Sequence, residues 1–343
     1  MQKILDREAP LIVAEISANH NGSLERAMKL VEAAKEAGAD AIKLQTYTPD
    51  SMTLDHTGDR FRIRDPNSPW YGASLYDLYK QGETPWAWHE PLFRRARELG
   101  MLAFSTPFDA AAVDRLETLD PPAYKIASFE IVDLPLIKKA AATGKPLIIS
   151  TGMAAIGEID EAVRAAREAG SPEVILLKCT STYPAPPEES NLLTIPHMRA
   201  AFGCPVGLSD HTPGIGTAVA AVALGAVLIE KHLTLNREEG GIDAPFSLEP
   251  AELRALAEEA RRAQRALGRV FYGPTASEQG SFSLRRSLYV TEDLQAGDEL
   301  NDGNVRAIRP GGGLEPKHLP AVMGRRGRRA VPKGTPLTWD LLR

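Results

Sequence analysis

The chain has 343 residues, 43% of them hydrophobic and 25% charged, and a formal net charge of −5. That composition suits a globular protein with one large domain and a small one, and the negative balance excludes a general nucleic-acid binder. No apolar run approaches the roughly 20 residues of a membrane helix, no signal-type h-region opens the sequence, and two cysteines, Cys179 and Cys204, make no disulfide framework, so a reducing, cytoplasmic setting without membrane partners is expected.

Short apolar runs recur at 11–17, 41–46, 101–106, 123–128, 146–151, 174–180, 205–210 and 226–232. Between them lie amphipathic stretches. In "SLERAMKLVEAAKEAG" (23–38), Ser23 can cap the start, Leu24, Ala27, Met28, Leu30, Val31 and Ala34 form one apolar stripe, and Gly38 closes the end. The stretches at 85–100, 156–170 and 251–268 follow the same plan. Eight strand–helix units in about 250 residues predict an α/β fold, a closed (β/α)8 TIM barrel rather than an open sheet. "SANHNG" after the first strand is no dinucleotide turn, and "ATGKP" (142–146) lacks the glycine and Ser/Thr of a phosphate loop.

Residues 47–83 are too long for an ordinary connection and read as a lid, a substrate loop or a packing appendage. After Gly268 the pattern changes to short β-like runs with many Gly/Pro turns. The expected division is a barrel over 1–270, a linker over 271–283 and a compact, mostly β domain over 284–343. Residues 281–343 hold eleven Lys and Arg against seven Asp and Glu, so this tail is basic on an acidic body and could bring cations to an anionic ligand.

"GAVLIEKHLTL" (225–235) turns from an apolar strand to Glu230, Lys231 and His232 without a break. In a parallel barrel, chemistry sits at the C-terminal strand ends, and polar residues gather there in every strand. They are Glu15 and Ser17; Lys43 and Gln45; Ser105 and Thr106; Lys125 and Ser128, with Glu130 beyond; Ser150; Lys178 and Thr180; Ser209, Asp210 and His211; and Glu230 and His232. Alternation points Glu230 and His232 inward with Leu228 and turns Lys231 to the helices. A lone strand-end histidine is usually a satisfied core residue. His211 and His232, however, end neighbouring strands, and that pairing suits an open divalent ion. Lys43, Lys125 and the hydroxyls of Thr106, Ser128, Ser150 and Ser209 suit a phosphorylated or carboxylated ligand. Glu15, Glu130 and Asp243 suit sugar hydroxyls or proton transfer. His20, His56, His89, His197 and His318 lack such partners and are read as structural.

At these residues the chain resembles the sialic acid synthase (nonulosonic acid synthase) family. The matching stretches are "AEISANHNGS", "AGADAIKLQTY", "FSTPFD", "YKIASFE", "IISTGMA", "GLSDHT", "IEKHLTL" and "FSLEP", with "RRSLYV" and "IRPGGGL" similar to its antifreeze-like (SAF) domain. The resemblance implies a TIM barrel plus SAF domain that condenses phosphoenolpyruvate with an acylated amino sugar. It implies phosphoenolpyruvate on Lys43, Thr106, Lys125, Ser128, Ser150 and Ser209. It implies manganese, with magnesium or cobalt as alternatives, on His211 and His232. Catalytic carboxylates would be Glu15 and Glu130, and the sugar would also meet Gln45, Tyr183 and Asp243. Arg309 would come from the SAF domain of the second subunit of a homodimer. "EISANHNG" and "TYTPDSMTLD" are more similar to the pseudaminic acid branch, which implies 2,4-diacetamido-2,4,6-trideoxy-altrose as acceptor; N-acetylneuraminate or legionaminate formation is the alternative. Ser181 in "CTSTYPAP" replaces an asparagine of some relatives. Two rivals remain from the residues themselves: a Schiff-base aldolase using Lys125 or Lys178, and a sugar-binding protein without catalysis.

Overall fold

The computed structural model describes residues 9–343, which divide into two compact units, one ending at Gly268 and one spanning Arg269–Arg343. In the first unit eight parallel strands close into a barrel in the order β1 to β8, with β1 paired to both β2 and β8. The strands are β1 Leu11–Glu15, β2 Ala41–Thr46, β3 Leu102–Pro107, β4 Tyr124–Ile126, β5 Leu147–Ser150, β6 Val174–Cys179, β7 Val206–Asp210 and β8 Leu228–His232. Each is followed by a principal helix: α1 Leu24–Glu36, α2 Trp86–Glu98, α3 Ala110–Glu117, α4 Leu134–Ala141, α5 Ile156–Glu168, α6 Thr194–Phe202, α7 Gly216–Ala223 and α8 Pro250–Ala266.

The helices start where short polar side chains meet orphan amides. Ser23 Oγ accepts from Arg26 N at 3.2 Å, Asp109 Oδ1 from Ala112 N at 2.7 Å, and Asp133 Oδ1 from Leu136 N at 3.0 Å. Along α1 the expected stripe is the buried one: Ala27, Leu30, Val31 and Ala34 enter the core between barrel and helices, with Leu24 and Met28 packed against it.

A second apolar cluster fills the barrel itself: Leu11, Val13, Ala41, Phe104, Ala123, Ile148, Ile175, Leu177 and Leu228. The pleat puts residues two apart on one side of a strand. Two positions beyond seven members of this cluster stand Glu15, Lys43, Thr106, Lys125, Ser150, Cys179 and Glu230. The polar layer is therefore a direct continuation of the apolar plug.

The same alternation corrects three members of the expected polar ring. Ser105 has the opposite parity to Thr106 and bonds to Thr46 Oγ1 at 2.7 Å, which in turn meets His89 Nε2 at 2.8 Å. Asp210 has the opposite parity to Ser209 and pairs with Lys231 on the helix side of the wall, Nζ to Oδ2 3.0 Å. Lys178 Nζ donates to Cys179 O at 2.9 Å, away from the ring.

Residues 47–83 form a strap containing the helix Leu75–Gly82, closed on itself where Ile63 N donates to Ala73 O at 3.0 Å and Gly72 N to Ile63 O at 2.8 Å. Among the described residues no helix is long and apolar enough to cross a membrane.

In the second unit β9 (Ser287–Val290) pairs antiparallel with β10 (Val305–Ile308) over a core that includes Leu288, Val290, Leu300, Val322 and Leu337. Residues 271–283, expected as a linker, carry short helical turns at Ala276–Glu278 and Gln279–Phe282.

Candidate active site

The deepest polar layer is a buried charge cluster. Lys125 Nζ donates to Glu230 Oε1 and Oε2 at 2.9 and 3.1 Å, Lys43 Nζ donates to Glu230 Oε1 at 3.0 Å, and Ser209 Oγ donates to the same oxygen at 3.0 Å. Lys43 also reaches Glu15 Oε2 at 2.6 Å, while Glu15 Oε1 accepts from Ser17 N at 2.7 Å. All four charged side chains are at most 5% exposed. Buried ammonium groups are costly unless paired, which is why each lysine turns to a carboxylate.

Burial alone would raise the pKa of Glu230, but Lys125 and Lys43 outweigh it and hold this carboxylate below its usual range. Burial likewise disfavours the Lys43 ammonium, and Glu15 with Glu230 reverses that. Lys125 moves down instead, because burial and Lys43 meet only one opposing carboxylate, Glu230. Glu15 is pushed up by burial, with the nearby Glu230 adding to it and Lys43 opposing.

Four expected anion ligands stand on consecutive strands: Lys43 on β2, Thr106 on β3, Lys125 on β4 and Ser150 on β5. Thr106 Oγ1 and Ser150 Oγ are buried without a hydrogen-bond partner. Hydroxyls left unmatched beside ammonium groups are suited to an anion, because a buried donor without a partner is costly. Ser128 Oγ bonds Ser181 Oγ at 2.6 Å. Gly152 lies against this pair, where an added Cβ would come 2.4 Å from Ser128 Cβ, and its φ of +47° favours glycine.

Next to this layer opens a cavity of ≈ 680 Å³. Gln45, Glu130, Tyr183 and Asp243 all line it, as does His232. Burial raises Glu130 to about 7, and its Oε2 has no hydrogen-bond partner. Asp243 is also raised by burial, opposed by its hydrogen bond from Ser17 Oγ.

His211 and His232 lie with ring centroids 5.4 Å apart, and Tyr183 packs on His211 at 4.4 Å. His211 Nδ1 donates to Thr180 O at 2.9 Å, which fixes its ring and leaves Nε2 as the lone-pair nitrogen. His232 buries Nδ1 without a hydrogen-bond partner, and burial followed by repulsion from His211 holds its pKa well below the usual value. His211 moves the other way: burial disfavours its charge, but its contacts to Cys179 and Thr180 O outweigh burial and favour the proton. Two imidazoles so placed can hold a divalent ion with open positions once the ion displaces that proton. Among the described residues no group of three or more His, Cys, Asp or Glu gathers as a closed metal site.

Arg309 lies just past β10 in the second unit and is exposed. Sequence reasoning placed Glu230 in the ring but gave it no part in the site, and it overlooked Cys179. Counting in twos from Leu228 and Leu177 finds both.

The sequence model of the NeuB family matches residues 30–272, and that of the SAF domain matches residues 285–343. The chain is 42% identical to the pseudaminic acid synthase of Helicobacter pylori over 335 residues, covering 97% of this chain and 98% of that protein. It is 37% identical to the N,N'-diacetyllegionaminic acid synthase of Campylobacter jejuni, covering 92% and 95%. The crystal structure of N-acetylneuraminic acid synthetase from Leptospira borgpetersenii superposes with a TM-score of 0.71 at 34% identity, covering 80% of this chain and 90% of that one.

Proposed function

The chain belongs to the NeuB family, and from that premise we propose that it condenses phosphoenolpyruvate with 2,4-diacetamido-2,4,6-trideoxy-altrose to give pseudaminic acid and phosphate. The observation that carries the reading is the pairing of two unlike compartments. A buried layer of two lysines and unmatched hydroxyls adjoins a cavity lined by Gln45, Glu130, Tyr183 and Asp243, with His232 at its wall. The first suits a small dianion and the second a polyhydroxylated acceptor. The legionaminic relative keeps that product, or N-acetylneuraminate, as the second reading.

Phosphoenolpyruvate is held in this scheme by Lys43, Lys125, Thr106, Ser128, Ser150 and Ser209, and the hydroxyls of Thr106 and Ser150 gain the partner they lack in the protein alone. His211 and His232 would hold a divalent ion, manganese with magnesium or cobalt as substitutes, which would supply Lewis acidity for the acceptor's carbonyl group. The C3 carbon of phosphoenolpyruvate bonds to the aldehyde carbon as the C=O π pair passes to oxygen, which takes a proton and becomes a hydroxyl. Water adds at the electron-poor C2, and phosphate then leaves with the bridging oxygen and the C2–O electron pair as C2 becomes a carbonyl. Glu130 takes the proton of that water, since its carboxyl sits near 7 at the cavity wall. Glu15, tied to Lys43 and Ser17 N, holds the lysine in place.

The active form is a homodimer in this proposal, with Arg309 of the partner subunit completing the sugar site. Two unpaired buried thiols, Cys179 and Cys204, suit a reducing cytoplasm.

The test is product mass after incubation with phosphoenolpyruvate and a panel of 2-acetamido and 2,4-diacetamido hexoses. The expected product carries three added carbons, releases phosphate, and in oxygen-18 water is labelled at C2 and not in phosphate. Label in phosphate, or trapping of pyruvate by borohydride on Lys125 or Lys178, would replace this scheme with another.

A further inference from the structure

We propose that the strap over residues 47–83 selects the acceptor by offering an apolar wall to its carbon substituents, a deoxy methyl group and a second N-acyl methyl group. The inference rests on the reading above of the protein as a phosphoenolpyruvate–sugar synthase and assigns the strap a part in it.

Met52, Ile63, Trp70, Leu75 and Leu78 all line the ≈ 680 Å³ cavity. None of them belongs to the two apolar clusters that fill the barrel and seat its helices. Each is only half-buried. Apolar side chains that add little to a core and keep a free face toward a cavity are the ordinary lining of a ligand site. Leu75 and Leu78 are one helical turn apart on Leu75–Gly82, so one face of that helix carries both. The helix starts on Ser74, whose side chain accepts from Asp77 N, and ends at Gly82, where an added Cβ would stand 2.7 Å from Tyr47 Oη. Glycine thus lets the helix close down on the cavity.

The strap is pinned across the opening. Trp70 Nε1 donates to Ile242 O at 3.0 Å, and the indole packs on Tyr183 at 5.7 Å and on Phe246 at 6.1 Å between centroids. Tyr183 in turn lies on His211. The wall is therefore set at a defined place relative to the expected site of reaction. Two of the strap's own polar atoms are engaged in its turns: Asp65 Oδ1 accepts from Asn67 N at 2.9 Å and Ser68 Oγ from Trp70 N at 3.2 Å. Asp65, Asn67 and Tyr79 of the strap also line the cavity, so polar contacts flank the apolar wall. At the Leu75 and Leu78 side chains themselves, a sugar hydroxyl would lose water without gaining a partner, whereas a methyl group would gain contact.

The experiment compares kcat/KM for two acceptors, a 2,4-diacetamido-2,4,6-trideoxyhexose and a 2-acetamido-2-deoxyhexose with hydroxyls at C4 and C6. In the Leu75→Ser, Leu78→Ser double variant, the first is expected to fall by about 10- to 100-fold, mainly through KM, on the scale at which methyl-sized contacts discriminate. The second is expected to stay within about threefold, so the preference collapses. Leu78→Met, which keeps apolar surface, retains the preference. Equal losses for both acceptors would mean that the strap only encloses the site and would overturn the inference, as would an unchanged ratio. A wild-type protein that condenses phosphoenolpyruvate but prefers the hydroxylated acceptor sinks this inference and moves the product to the N-acetylneuraminate reading, while the synthase chemistry stands. One that condenses neither sinks the functional reading beneath it.

Discussion

Lys125 grips both oxygens of Glu230, at 2.9 and 3.1 Å, in a layer closed off from solvent. The contact joins β4 to β8 through the barrel interior, and Lys43 from β2 shares the same carboxylate. Two lysines and two acids cancel in charge, so the layer can be buried before any ligand arrives.

Removing one acid breaks that balance. Glu230→Gln leaves two ammonium groups facing Glu15 alone and is expected to cost about 3–5 kcal/mol, the usual scale for orphaning a buried charge. Urea denaturation measures it. The KM for phosphoenolpyruvate should rise as well, because Lys125, already lowered by burial, loses the carboxylate that keeps it protonated. A variant as stable as the wild type would show that the cluster carries no such strain.

Glu130 gives a pH signature. Its folded pKa of about 7 lies above the ordinary 4.5. The folded state therefore holds the proton more tightly than the unfolded chain, and stability contributed below pH 4.5 is lost as pH rises through 7. Glu130→Gln should match the wild type at pH 4 and exceed it by about 2 kcal/mol at pH 8, at 1.36 kcal/mol per pKa unit with allowance for partial exposure. The limb of kcat/KM near pH 7 should also disappear. Parallel stability curves from pH 4 to 8 would remove Glu130 from this role.

Outside the barrel wall, Asp210 and Lys231 form a buried pair at 3.0 Å, each one residue before a candidate metal ligand. Lys231 Nζ also donates to Thr212 O, and Asp210 Oδ1 accepts from Thr212 N at 2.9 Å. Lys231→Met should weaken manganese binding, read by electron paramagnetic resonance, by about 10- to 100-fold, as losses of supporting contacts do. The Asp210→Asn, Lys231→Met double variant should recover part of the stability that the single one loses, because no buried charge is then left alone. Unaltered manganese affinity in the single variant would show that the pair serves the fold only.

Chelator should abolish turnover, and manganese should restore it in the wild type but not in His211→Ala or His232→Ala. Manganese titration of the three proteins should show one site in the wild type and none in the variants. Activity that survives metal removal would return Lys125 and Lys178 to consideration as Schiff-base nucleophiles.

Much of the architecture was legible because local chemistry repeats. Ser23 caps α1, the 3.6-residue stripe from Leu24 to Ala34 is the face that packs, and eight apolar runs became eight strands. The polar layer was legible through alternation from Leu228 to Glu230 and His232. Composition alone misplaced Ser105, Lys178 and Asp210, since a strand end rich in polar residues does not say which side each one faces; parity does.

The linear sequence determined the period of each element, the order of strands and helices, and which residue types crowd the strand ends, because those depend on neighbours a few positions away. Only the tertiary structure decided that Lys43 and Lys125 share Glu230, that Asp210 leaves the ring for Lys231, and that the strap turns Leu75 and Leu78 onto the cavity. Those choices depend on burial. A charge shut away from water must find a partner from a distant strand, and barrel closure sets which partner lies within reach.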